Sequence, residues 1–277
     1  MILPLLILWL STLQKPESFS DICCSSLENI FRGSRHFSDH RISWVDNTVS
    51  TNDDLKAAWN HAPIPDQLRI ADFQTGGRGQ HGRIWRADAG QSLLFSFSLA
   101  NLHNRFPLSL LTGLALCITL QHLVRDAGDA SGLWLKWPND IWLNRRKLAG
   151  ILCESCVIGD NTHWVIGAGI NLLPLNDLQT VSASFSEIAD VCSRQKILCE
   201  FFSIIDELLM VDEQTLVEQW TRAAAVFWQT RFLVECHGQS GFYGLPQRLA
   251  PDGALLIKPD GNEKSRRLMS ATLRPVY

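Results

Sequence analysis

The run Leu135-Lys136-Trp137-Pro138-Asn139-Asp140-Ile141-Trp142-Leu143, followed after three residues by Lys147-Leu148-Ala149-Gly150-Ile151-Leu152, constrains the fold more than any other feature of this chain. It reads as the mouth and body of one β-hairpin, with Pro138-Asn139-Asp140 as turn chemistry and apolar residues continuing to Ile158. Around that hairpin the sequence collects two lysines, an Asn-Asp pair and a glycine. Cations hold phosphate or carboxylate by charge-assisted hydrogen bonds, a carboxylate can take a proton, and glycine lets a ligand approach the backbone. Asn and Asp are also ordinary turn residues and lysines are ordinarily solvated. The length of the string makes coincidence a poor explanation.

The rest of the chain alternates strand and helix signals. Ile42–Val45 reads as a strand, followed by a helix from about Asp53 to Asn60 with a start signal at Thr51 and Asp54. Pro63 and Pro65 break the chain before a strand over Leu68–Gln74, and Ser92–Leu99 alternates apolar and polar residues in strand fashion. Residues 107–127 fit an apolar helix with Leu110, Leu111, Leu114, Ala115 and Ile118 at helical spacing. Strands follow over Leu133–Lys136 and Trp164–Ile170. From about 193 to 228 the period is helical, with Ile197, Phe201, Ile204, Ile205, Leu208 and Leu209 facing inward. After Arg231 the segments Phe232–Cys236, Phe242–Arg248 and Ala254–Lys258 are separated by His237-Gly238, Pro251-Asp252-Gly253 and Pro259-Asp260-Gly261, which indicates a small all-β module. The expected organisation is an N-terminal extension over 1–40, a mixed α/β domain over 41–230 and a β-barrel-like unit over 231–277.

Bulk properties exclude several classes. A net charge of −3 gives no general attraction to nucleic acid, so local cations are better read as serving a small anionic ligand. The apolar run Met1–Leu13 is shorter than the roughly 20 residues that span a bilayer, and no positive charge precedes it as in a signal peptide. No membrane partner is expected, and the expected location is cytoplasmic. The spacing Cys153-Glu154-Ser155-Cys156 matches a redox or zinc site. It falls within a strand, however, where residues three apart point to opposite faces. The eight cysteines are therefore read as reduced, with no dedicated metal ligands.

Three further constellations carry chemistry. Gly76-Gly77-Arg78-Gly79-Gln80-His81-Gly82-Arg83 is a glycine- and cation-rich loop without the Gly-Lys-[Ser/Thr] ending of a Walker loop. Its arginines can grip phosphate oxygens, and on its own it is equally an exposed hairpin with solvated side chains. Ser50-Thr51-Asn52 is a helix cap and also a neutral hydrogen-bonding cluster suited to an uncharged polar ligand such as a cyclic urea. Gly167-Ala168-Gly169-Ile170-Asn171 closes a strand with glycines on which a ligand can lie flat. Together with the hairpin they point to activation of an acid by a nucleotide.

In this order the four elements resemble the biotin–protein ligases, over about Ile42 to Arg274, and the Lys-Trp-Pro-Asn-Asp…Lys-Leu-Ala-Gly-Ile-Leu string carries most of the resemblance. It implies an α+β fold, a mixed sheet flanked by helices of the class II aminoacyl-tRNA synthetase-like kind, with a C-terminal SH3-like β-barrel. It implies an ATP- and Mg²⁺-dependent reaction in which biotin and ATP form biotinyl-5′-AMP and pyrophosphate. The biotinyl group then passes to a lysine of a biotin carboxyl carrier domain, of acetyl-CoA carboxylase or a related carboxylase. Matched position by position, Ser50, Thr51, Asn52, Gln74, Gly77, Arg78, Lys147, Gly150 and Gly167 fall at the biotin side. Arg83, Trp85, Asn139, Asp140, Asn171 and Arg274 fall at the nucleotide side. Lys147, Arg78 and Asp140 are the expected catalytic residues. Lys147 and Arg78 would neutralise the meeting of two anions, and Asp140 would orient the acceptor ammonium and take its proton.

Two departures stand out. The family loop usually reads Gly-Arg-Gly-Arg-x-Gly-Arg, and the second arginine is here Gln80. Few residues precede the matched region and none forms a basic recognition helix, so DNA binding is not expected. The alternatives are a lipoate-type ligase and a catalytically weak biotin-binding or sensor protein, for which Gln80 is the favouring feature. Whether the protein is a monomer or a homodimer stays open.

Overall fold

The structure is a computed structural model and describes residues 24–60, 67–100, 102, 106–125, 132–175, 182–189, 193–236, 240–262 and 264–277. The run Met1–Leu13, the Pro63–Pro65 break, residues 126 and 127 of the long helix and the His237-Gly238 turn lie outside them. In chain order the elements are α1 (Cys24–Gly33), β1 (Arg41–Thr48), α2 (Thr51–Lys56), β2 (Gln67–Gln74), β3 (Ser92–Ala100), α3 (Leu108–Arg125), β4 (Leu133–Lys136), β5 (Asp140–Leu143), β6 (Arg146–Ile158) and β7 (Asn161–Asn171). Helices α4 (Arg194–Leu208), α5 (Glu213–Ala223) and α6 (Ala225–Trp228) lead to strands β8 (Arg231–Glu235), β9 (Phe242–Leu249), β10 (Leu255–Pro259), β11 (Arg266–Leu268) and β12 (Thr272–Val276). No described helix is long and apolar enough to cross a membrane.

Strands β1 to β7 form one mixed sheet in the order β1-β2-β3-β7-β6-β5-β4, with β1 and β2 parallel and the other neighbours antiparallel. The alternation expected over Ser92–Leu99 is present, but its polar face is not turned to water: Ser92, Ser96 and Ser98 are buried along with Leu93, Phe95, Phe97 and Leu99. β3 is a central strand with both faces covered, so its polar side meets other protein groups instead of solvent. On the apolar face, Phe95 and Phe97 pack edge-on against Phe201 and Phe202 of α4, with ring centroids 5.4 and 5.5 Å apart. Helix α3 is buried along much of its length between the sheet and α4, and Ile118 and Ile204 are half-buried at its rim.

Residues 24–40 contribute to this core. Leu27, Phe31 and Phe37 are fully or almost fully buried. The Phe37 ring sits 4.9 Å from Phe202 and 5.8 Å from Phe97, while His36 Nδ1 lies 2.8 Å from Asp206 of α4. Residues 24–40 therefore close the outer side of α4, and the packing has no break at residue 40.

Strands β8 to β12 form a separate antiparallel sheet in the order β11-β10-β9-β8-β12. Among the described residues β11 and β12 do not pair, so the unit expected as a barrel is an open five-stranded sheet; β11 is only three residues long. Side-chain packing and hydrogen bonds fasten this unit to the first. The Trp220, Phe227 and Phe232 rings pack in series, edge-on and then tilted, with centroids 6.0 and 5.1 Å apart. Trp137, buried inside the hairpin string, donates its indole N–H to Gly253 O at 3.0 Å.

Replacing Phe37 by alanine tests whether this segment belongs to the core. The expected loss is roughly 3–5 kcal/mol in equilibrium urea unfolding, the range for deleting a buried aromatic ring. A loss below about 1 kcal/mol, the level of a surface change, would place the segment outside it.

Candidate active site

The site lies on the polar face of the sheet, and register decides which side chains reach it. Asp140 of β5 pairs with Gly150 of β6, Gly150 with Gly169 of β7, and Gly167 with Ser96 of β3. Regular pairing would put Lys147 on the opposite face from Asp140. Instead the register shifts between Ile141, which pairs with Ala149, and Trp142, which pairs with Lys147. One extra residue, Leu148, is thus accommodated in β6 and goes to the core, and Lys147 turns to the face that carries Asp140.

The consequence is a three-charge cluster. Lys147 Nζ lies 2.6 Å from Asp140 Oδ1 and Lys136 Nζ lies 3.3 Å from Asp140 Oδ2. Burial acts to raise the Asp140 pKa, but Lys147 and Lys136 outweigh it and hold the carboxyl at about 2. Lys136 is buried, which lowers its pKa against the opposing pull of Asp140, and its ammonium sits 5.2 Å from the Trp142 ring. Lys147 is the open member of the set, 36% exposed, with its ammonium 5.4 Å from the centre of the Trp85 ring.

Trp85 lies on a floor of glycines. A Cβ at Gly169 would sit 2.6 Å from its Cε2, and one at Gly150 would sit 3.0 Å from its Cζ3 and 2.9 Å from Lys147 Nζ. Those two paired positions accept glycine alone if the indole and the ammonium are to rest against the sheet.

The Gly-rich loop is a tight hairpin. Trp85 N donates to Gly77 O at 2.9 Å, Gly79 N to Arg83 O at 2.7 Å, and Arg78 faces Ile84. The tip, Gln80–Gly82, is a 3₁₀ turn with His81 and Gly82 at φ of 58° and 73°. Arg83 reaches across to the Thr272 hydroxyl of β12. Arg78 ion-pairs with Asp53 of α2.

At the other end of the cleft stands the polar cluster. Ser50, not Thr51, caps α2 by accepting from Asp53 N at 3.4 Å, which frees the next two side chains to turn inward. Gln74 Oε1 accepts from Thr51 N at 2.7 Å and from the Thr51 hydroxyl at 3.1 Å. Ser96 Oγ lies 2.6 Å from both Thr51 Oγ1 and Asn52 Oδ1. Asn52 Nδ2 donates to Glu154 at 2.8 Å and to Leu152 O at 3.3 Å. With those donors committed, Thr51 Oγ1 and Asn52 Oδ1 present lone pairs to the cleft, while Gln74 Nε2 has hydrogens to give. A Cβ on Gly167 would overlap Asn52 Oδ1 and break this arrangement.

Two cavities flank Trp85. One, of about 450 Å³, is lined by Ser50, Thr51, Asn52, Gln74 and Arg78 among others. The second, about 920 Å³, carries Gln80, Arg83, Arg86, Asp140 and Asn171. Gly79, Trp85, Asn139 and Lys147 line both, so the two halves form one continuous cleft with Lys147 at the junction. Asn139 extends the strand pairing, donating Nδ2 to Ile151 O at 2.7 Å and accepting from Ile151 N at 2.9 Å. Asn171 donates Nδ2 to Ala183 O at 3.1 Å, and among the described residues its Oδ1 is buried without a partner in the second half.

The cleft is thus lined by fourteen of the sixteen residues singled out from the sequence, and Gly77 packs behind it against the Trp85 backbone and Gln74. Arg274 is the exception: it lies on β12, largely exposed, and pairs with Glu235 at 2.9 Å. Ser96, Glu154, Asp53, Lys56 and Arg86 had no assigned role. Ser96 was readable as a polar residue inside an apolar strand, and Glu154 as the only charge in the run Leu148–Ile158. Cys153 and Cys156 have their thiol pKa values pushed up by burial, which opposes thiolate chemistry. Among the described residues no group of three His, Cys, Asp or Glu is placed to hold a metal.

Residues 44–171 match the model of the biotin/lipoate A/B protein ligase family. A solved biotin protein ligase of Aquifex aeolicus in complex with biotin and ATP superposes with a TM-score of 0.68 at 25% identity, covering 85% of this chain and 99% of that one. Over these residues, a little under half of the chain, the sequence is similar to this family, and the fold is that of its biotin–protein ligases. The Mycobacterium tuberculosis biotin–[acetyl-CoA-carboxylase] ligase is 38% identical over 133 residues, 46% of this chain and 48% of that protein. The chloroplastic biotin–protein ligase 1 of Arabidopsis thaliana is 28% identical over 167 residues, 57% and 44% of the two chains. The chain thus spans about half the length of these curated relatives. The regions of match and of geometry coincide: residues 44–171 hold every lining residue of the cleft except Leu175 and Ser182.

The cluster gives a signed pH prediction. Asp140 is depressed to about 2 from an unfolded value near 3.9, so its stabilisation is present above about pH 4 and is lost as pH falls towards 2. The stability difference between wild type and Asp140→Asn should therefore contain a part of about 2 kcal/mol that vanishes over that window. Denaturant unfolding at pH 7 and at pH 3 should already show about half of that loss, roughly 1 kcal/mol, and a pH-independent difference would contradict the charge assignment.

Proposed function

We propose that this protein is an ATP-dependent biotin–protein ligase. The observation that carries the reading is the continuous cleft with a neutral hydrogen-bonding pocket at one end, a cation-lined chamber at the other and Lys147 at the junction. A cyclic urea offers a carbonyl acceptor and two N–H donors, which match the Gln74 amide donor and the Thr51 and Asn52 acceptors. A lipoyl dithiolane offers no such groups, so the pocket favours biotin over lipoate. In the second half, the unpartnered Asn171 Oδ1 suits an N–H or O–H donor such as the adenine amino group or a ribose hydroxyl. Arg83, Arg86 and Lys147 supply positive charge for phosphates. No protein metal cage is available among the described residues, so magnesium would arrive on the ATP phosphates, where it supplies further positive charge.

In the first step the biotin carboxylate oxygen attacks the α-phosphorus and the bond to pyrophosphate breaks, leaving biotinyl-5′-AMP. Two anions meet, and Lys147, at the junction, stabilises the added negative charge with its ammonium already held in place by Asp140. In the second step the carrier lysine releases one proton to water and attacks the acyl carbon as a neutral amine, AMP departs with the bonding electrons, and the second proton of the new amide nitrogen also passes to water. Asp140 is too acidic, at about 2, to be an effective acceptor of either proton. Its charge instead anchors Lys147 and draws the incoming ammonium group, a positioning role in place of the base role expected from the sequence. The acceptor is a biotin carboxyl carrier domain, by analogy with the acetyl-CoA-carboxylase ligase to which the chain is similar.

Incubation with biotin, ATP, Mg²⁺ and a biotin carboxyl carrier domain should add one biotinyl mass to the carrier, with no addition when lipoate replaces biotin. Binding of biotin without any modification of the carrier would instead make the protein a sensor. Gln80, at the loop tip beside the nucleotide chamber, lacks the charge that relatives place there. Gln80→Arg should slow release of biotinyl-AMP by a factor of about 10 to 150, the worth of one charged hydrogen bond. Equal release rates would remove that role for position 80.

A further inference from the structure

Glu154 stands on the site face of β6, four residues beyond Gly150, outside the cleft lining itself. A lone carboxylate in an apolar strand is costly without partners, and here it has three. Its Oε2 accepts from Asn52 Nδ2 at 2.8 Å, and its Oε1 lies 2.6 Å from Lys56 Nζ and 3.5 Å from Arg78 Nη2. Asp53 completes the set, with Lys56 Nζ at 2.9 Å and an ion pair to Arg78. Two carboxylates and two cations thus form a closed, neutral ring that joins α2, β6 and the Gly-rich loop.

The ring leaves Arg78 usable. Both carboxylates are met through Nη2 alone, so Nε and Nη1 keep their hydrogens for a ligand, and Arg78 lines the polar half of the cleft. The same Glu154 carboxylate fixes the Asn52 amide with nitrogen towards β6 and oxygen towards Ser96. One side chain therefore orients a neutral acceptor in the pocket and a cation on the loop above it.

We infer that Glu154 is a positioning residue which, with Asp53, clasps Arg78 and the Gly-rich loop over the polar pocket and so sets the grip on the acid substrate. The substrate part of this inference rests on the biotin-ligase reading; the clasp does not. Each pair is partly exposed and weak alone, but they share members, so removing one charge loosens the loop from its anchor. Glu154→Gln keeps the size and an acceptor for Asn52 while removing the charge that faces Lys56 and Arg78.

The test has a ligand-free arm and a kinetic arm, on the full chain. Without ligands, trypsin cleavage of the Arg78–Gly79 bond, followed by mass spectrometry, should quicken about fivefold in Glu154→Gln and in Asp53→Asn. In the kinetic arm, Glu154→Gln should raise the KM for biotin roughly five- to tenfold while the KM for ATP stays within about twofold. The thermal midpoint is measured alongside, and Asp53→Asn, at a more exposed position, serves if Glu154→Gln does not fold. Cleavage at the wild-type rate in the variants overturns the clasp, and so does a rise of both KM values together with a lowered midpoint. If the wild type modifies no carrier, the proposed function falls, and the ligand-free cleavage rates still decide the clasp.

Discussion

The ion pair between Lys147 and Asp140 is the interaction on which the site depends, and a single extra residue in β6 creates it. The shift at Leu148 turns Lys147 onto the face that carries Asp140, while Leu148 itself enters the core. Without the bulge the two groups would lie on opposite sides of the sheet. With it, Asp140 sits between two ammonium groups and stays ionised, so the negative charge that anchors Lys147 is permanent at neutral pH. The cost of burying Lys136 is offset by the same carboxylate.

Everything else in the cleft is arranged about that pair. Gly150 and Gly169 give Lys147 and Trp85 a bare sheet to rest on, and Gly167 leaves room for Asn52 where the polar pocket begins. The neutral donors and acceptors of that pocket are fixed from behind by Gln74, Ser96 and Glu154. The cations are on the loop, at the junction and in the second half, and Arg78 borders the polar half itself. Such a layout suits a ligand with an uncharged polar head and an acidic tail, the head meeting fixed neutral groups and the tail meeting Lys147 and Arg78.

Much of this was legible in the residues. The hairpin string, the Gly-rich loop, Ser50-Thr51-Asn52 and the strand ending at Asn171 all converge on one cleft, since each is a local segment whose chemistry survives whatever surrounds it. The misses come from tertiary context. Periodicity does not show a one-residue bulge, so the common face of Lys147 and Asp140 was invisible. The burial of the β3 serines was not legible either, because alternation reports two faces without saying what covers them. Glu154 shows in the sequence as a charge inside an apolar strand, but what it does there is not legible, because its partners Lys56 and Asn52 are 98 and 102 positions away. Short helix α1 and Phe37 carried no periodic signal strong enough to reveal that they close the core against α4. Arg274 matched by position, yet in the structure its guanidinium turns to Glu235.

The account stands or falls on Lys147 as the cation that activates the acid. The most direct measurement is biotin-dependent exchange of labelled pyrophosphate into ATP in the absence of any carrier, which isolates the first half-reaction. Wild type should exchange only when biotin is present, and Lys147→Met should lower the rate by about 10²–10³, the scale of one lost charge-stabilising donor, while the protein stays folded. Exchange at the wild-type rate in folded Lys147→Met, or no biotin-dependent exchange in the wild type, would contradict it.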